Sequence, residues 1–175
     1  CLERRVDGII LNSWIDEESG ATDSDYISKQ LPAELPVIEV YGEHQKEADT
    51  INVDNKAGFY EMCCRLLKSG SKNIVMINHR DYVRGEAGQV FVNAWQCFEG
   101  YRQALSEHGL TATVMTHSLN EERSNWLESA QEIVEGMIVN NELPEAIVCV
   151  DDLQACGVIR ACRQHGICIP GDLAL

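Results

Sequence analysis

Residues 143–175 read LPEAIVCVDDLQACGVIRACRQHGICIPGDLAL, and this stretch decides the fold. Residues 146–150 are a continuous apolar run, entered through Pro144 and broken by Asp151 and Asp152. A run that short, with no polar alternation, suits a strand buried on both faces. The period then changes to helical, with Ala155, Val158, Ile159 and Cys162 on one stripe and Gly166 as the stop. Ile167, Cys168, Ile169 and Pro170 lead into a further apolar run at 173–175. The unit is strand, helix, strand, and one of the two carboxylates is expected to cap the helix. In open α/β sheets ligands bind at the carboxyl ends of the strands, so this stretch places acid groups on a candidate pocket edge.

Upstream, strands are expected at 6–11, 36–41, 50–53 and 73–77, with a weak one at 113–116. A short helix is expected at 23–31. Asp54 or Asn55 is placed to cap the next helix, whose stripe is Phe59, Met62, Cys63, Leu66 and Leu67 and whose stop is Gly70. Residues 79–89 are polar and read as a loop. The following helix carries Phe91, Ala94, Trp95, Phe98 and Leu105 on one side and stops at Gly109. Residues 121–139 form an amphipathic helix with Leu127, Ala130, Ile133, Val134, Met137 and Ile138 inward and glutamates on a solvated face. Alternation of strand and helix throughout predicts α/β architecture with parallel sheets.

The 175 residues carry 14 basic and 28 acidic side chains, a formal net charge of −14. Such a surface repels phosphate backbones, so these residues alone are not expected to bind nucleic acid. No segment has the run of 18 or more apolar residues that a membrane span needs. The eight cysteines form no Cys-x-x-Cys pair, and several fall on core faces. They read as reduced, small apolar residues; Cys63, Cys149, Cys156 and Cys162 are expected to be mostly buried. The five histidines show no metal-ligand spacing, so no metal site is expected.

No Gly-x-Gly-x-x-Gly follows a strand and no Gly-Lys-Ser/Thr loop is present, so no nucleotide cofactor is expected. Gly-x-Ser-x-Gly and His-Glu-x-x-His are absent too, and no nucleophile–base pairing supports an enzyme. The Val150-Asp151-Asp152 run is similar to the acidic pair of phosphorylation receiver domains. That pair needs a further acceptor aspartate well downstream, and only 23 residues follow Asp152.

Taken together, the motifs resemble the effector-binding core of the lactose-repressor/galactose-repressor family of bacterial transcription regulators. The matching pieces are Val6-Asp7-Gly8-Ile9-Ile10, Val53-Asp54-Asn55 with Gly58, and Leu66-x-x-x-Gly70 leading into Ile74. Gly100-Tyr101-Arg102-x-Ala104-Leu105 follows, then Ala146-Ile147 with the acidic pair, Ala155-x-Gly157, and Ile169-Pro170-x-Asp172. The order and spacing carry the resemblance, and they run through nearly the whole chain.

The resemblance implies a periplasmic-binding-protein-like fold: two parallel-sheet lobes with an effector, expected to be a sugar, in the cleft between them. Residues 1–78 would be part of the first lobe running into the start of the second, and residues 79–175 a truncated second lobe. A DNA-binding domain would precede the chain, and the parent would be a cytoplasmic homodimer binding operator DNA. The same fold also serves exported sugar-binding proteins of transport systems, which stands as the alternative function.

By position, Asn12 matches a sugar-contacting Asn of some relatives, and Asp151 matches the Asn or Asp lining the cleft from the second lobe. Asn93 and Asn120 fall near cleft positions. Cys97 stands where relatives commonly place an Arg, three residues before Gly100, and a thiol lacks that fork of donors. Arg80, Arg84 or Arg102 is left to substitute for it, or to decorate the surface.

Overall fold

The computed structural model describes residues 6–12, 31–32, 34–40, 49–79, 92–117 and 126–175. The expected helix at 23–31 and the expected loop at 79–89 lie almost wholly outside these residues. The chain divides into two compact units, with the seam between Asp54 and Asn55. The helix that starts at Asn55 and the strand after it therefore belong with the second unit.

The first unit holds a three-stranded parallel sheet in the order β1 (Ile9–Asn12), β2 (Val37–Val40), β3 (Asp49–Ile51). Ile9 pairs with Val37 and Asn12 with Val40, while Val40 in turn pairs with Ile51. Asn12, one residue beyond the strand expected at 6–11, is the last residue of β1. Glu39 is buried in β2, beside Leu11 and Thr50 in register.

The second unit is the larger. Its helices are α1 (Asn55–Lys68), α2 (Val92–Glu107), α3 (Trp126–Val139) and α4 (Asp152–Gln164). Its parallel sheet runs β5 (Thr113–His117), β4 (Ile74–His79), β6 (Ala146–Cys149). Strand alternation divides the core into two layers. Ile74, Met76, Ala146 and Val148 face α1 and α2, where they meet Cys63, Cys97, Tyr101, Ala104 and Leu105. Val75, Ile77 and Ile147 face α3 and α4, where they meet Ala130, Val134, Met137, Val158, Ala161 and Cys162. β4 and β6 are covered on both faces, which is why these two strands read as continuous apolar runs. The last residues extend the sheet: Ala174 bridges Ala146 in parallel, and Leu173 is fully buried.

All four described helices end in the same way. Gly70, Gly109 and Gly166 have φ of 107°, 71° and 71°, and Asn141, which closes α3, has φ 58°. Each N–H bonds back to the carbonyl three residues earlier, and the next residue's N–H bonds five residues back, as in Ser71 to Leu66 at 3.1 Å. This is the Schellman arrangement, and it satisfies carbonyls the helix leaves open.

Two further glycines set the spacing between helices. An added Cβ on Gly100 would lie 2.2 Å from the Lys56 carbonyl oxygen, and one on Gly157 would lie 2.2 Å from that of Leu127. Each marks a crossing where one helix backbone rests on another, α2 on α1 and α4 on α3.

Two expectations need correction. Trp95 was placed on the inward side of its helix, but it is 37% exposed, and the buried side carries Ala94, Cys97, Tyr101, Ala104 and Leu105. Cys156 was expected in the core, but it is exposed; it falls on the outward side of α4, away from Gly157, Val158, Ala161 and Cys162. Cys63 and Cys162 are buried as expected, Cys149 is half-buried, and all seven described cysteines are free.

Candidate functional site

In the second unit the strands β4, β5 and β6 run parallel, so their carboxyl ends share one edge. In register, Asn78 lies opposite Thr116, and Ile77 opposite Cys149. Beyond Cys149 the chain passes through Val150 and Asp151 into α4, bringing a carboxylate to that edge.

Asp151 is the N-cap of α4. Its backbone is extended (φ −145°, ψ 166°), and its Oδ1 accepts the Gln154 N–H at 2.8 Å. Gln154 answers with its own side chain, its Oε1 accepting the Val150 N–H at 3.1 Å. The pair is a capping box shifted by one residue, with the reply going to the residue before the cap. Gln154 is fully buried, and the Val150 N–H takes the place of water at its side-chain oxygen. Asp152 follows as the first helical residue, where a negative charge is favourable to the helix dipole.

Asn78 is also fully buried, at the carboxyl end of the central strand, with its side-chain N–H₂ 4.0 Å from the Met76 sulfur. Neither Asn78 nor Gln154 was singled out by sequence. For Gln154 a signal existed, Asp151 followed three positions later by an amide. For Asn78 an amide ending an apolar run was the only sign.

Cys149 sits beside this edge. Burial pushes its thiol up to about 12, and the Asp151 charge adds to the effect, so it stays protonated. Cys97 is 5% exposed and packs in the core layer under α1 and α2. Burial holds its thiol at about 12 as well. Its side chain supports the unit from within.

Asn93 belongs to the first turn of α2, and Asn12 ends β1 in the first unit. Asn120, Arg80 and Arg84 lie outside the described residues. Arg102 forks onto Glu99 through two bonds of 3.0 Å on the outer face of α2, and the guanidinium draws the Glu99 carboxyl below its usual range. That arginine is committed to the helix surface. Among the described residues no group of three or more His, Cys, Asp or Glu side chains could hold a metal ion, and no helix is long and apolar enough to cross a membrane.

Residues 65–175 match the periplasmic binding protein-like domain. The chain belongs to that family. Among its relatives is the HTH-type transcriptional regulator DegA of Bacillus subtilis, 28% identical over 99% of this chain and 47% of the relative. Catabolite control protein A of Priestia megaterium is 27% identical over 99% of this chain and 48% of its own length. The chain thus spans about half the length of the curated relatives it matches.

The fold is shared with a LacI family transcriptional regulator from Enterococcus faecium with bound ribose (TM-score 0.69, 19% identity). That alignment covers 98% of this chain and 57% of the other. A sugar-binding transcriptional regulator of the LacI family from Escherichia coli, complexed with phosphate, gives a TM-score of 0.66 at 17% identity over 99% of this chain and 57% of the other. The periplasmic-binding-protein-like architecture expected from the motifs is the one observed.

Proposed function

We propose that this member of the periplasmic binding protein-like family is the effector-sensing core of a bacterial DNA-binding transcription regulator. One observation carries the reading: the likeness to named HTH-type regulators runs over 99% of the chain. It favours a regulator over an exported solute-binding protein. In this reading the effector is a small polyhydroxylated molecule, a sugar or derivative. Asp151, with Asn12, Asn93 and Asn120, supplies polar groups to it, and Cys97 supports the wall from the core. Side chains with both donors and acceptors suit ring hydroxyls, because polar groups buried without partners are costly. Operator DNA is engaged by a domain outside this chain, and the protein works in the cytoplasm as a homodimer. Effector binding that favours one arrangement of the core then shifts the population between DNA-binding states, and a coupling of about 1–3 kcal/mol suffices for a switch.

The test is calorimetry of the full-length parent protein against a sugar panel, followed by Asp151→Ala and Asp151→Asn. Loss of a charge-assisted hydrogen bond in Asp151→Ala should weaken binding of a hit by roughly 1.5–3 kcal/mol, about ten- to a hundredfold. Asp151→Asn keeps an oxygen for the Gln154 N–H, so it separates the ligand contact from the cap. Equal binding by wild type and Asp151→Ala would overturn the site. A parent without a DNA-binding domain would overturn the function.

A further inference from the structure

We draw no further inference here: the strongest candidate, the exposed isoleucine face of the first unit's sheet, formed by Ile10 (74% exposed), Ile38 and Ile51 (59% exposed), carries nothing, because nothing in the structure shows what covers it.

Discussion

A Tyr101→Phe variant removes one oxygen from a side chain with no exposed surface. That hydroxyl lies 2.9 Å from the Ile74 carbonyl oxygen and 2.9 Å from that of Thr113, and it accepts the Thr113 N–H at 2.9 Å. It therefore joins the first residues of β4 and β5, where the ladder pairing of Val75 with Thr113 begins. Burial raises the phenol to about 12, so it remains a donor across the ordinary pH range. Phenylalanine fills almost the same volume, so no cavity is created and the loss is polar. Thr113 is exposed and can recruit water, whereas Ile74 is buried. The expected cost is thus that of one net hydrogen bond plus one poorly satisfied buried carbonyl, about 1–3 kcal/mol. Melting temperature should fall by roughly 2–4 °C per kcal/mol for a chain of this size. Urea unfolding followed by circular dichroism measures it, with a lowered midpoint and an unchanged slope. Tyr60→Phe is the control: its hydroxyl donates to Glu107 at 2.6 Å on an exposed surface, and its loss should barely move the midpoint. A Tyr101→Phe midpoint equal to wild type would refute the claim that this hydroxyl ties the two strands.

Gly157→Ala forces α3 and α4 apart and should lose about 1–3 kcal/mol, whereas Gly136→Ala, with nothing within 4 Å, should gain up to about 1 kcal/mol from helix propensity; opposite signs in one denaturation series are the check. Glu145 accepts the N–H groups of Lys72 and Asn73, which holds its carboxyl below the usual range, so its stabilisation is present above the unfolded value near 4.3 and fades as pH falls towards the folded one. Glu145→Gln should accordingly differ from wild type at pH 7 and converge with it only as pH falls below the lowered folded value; a difference independent of pH would sink the assignment. Thiol titration of the folded chain should find Cys156 and Cys168 reactive and Cys63, Cys97 and Cys162 protected until denaturant is added, and early reaction of those three would contradict their burial.

The helix ends were legible in advance at Gly70, Gly109 and Gly166, because only a left-handed residue closes a helix in that way and glycine announces it. Asn141 does the same for α3 but went unread, since asparagine serves many other turns. The buried strands β4 and β6 were legible because sheet burial on both faces leaves no alternation to misread. The rotation of α2 was not. Its bulky residues Trp95 and Phe98 suggested one stripe, and the ring of Trp95 lies against Phe98 at 5.4 Å while remaining part exposed. The buried side is instead built from the small residues Ala94, Cys97 and Ala104 together with Leu105 and Tyr101, whose polar end finds backbone partners. The place of Asp151 between β6 and α4 was legible from the end of the apolar run, but Gln154 was hidden by its type. A glutamine reads as surface until the backbone groups that satisfy it are known.

The shifted capping box has a thermodynamic consequence for any ligand that reaches the end of β6. With one oxygen held by the Gln154 backbone N–H, the Asp151 side chain is tied down before any ligand arrives. Ordering a side chain on association costs on the order of 0.5–1.5 kcal/mol, and here that entropy is lost on folding instead. A carboxylate fixed in advance would meet such a ligand as a template, rewarding a hydroxyl at the right position and unable to swing to rescue one that is misplaced.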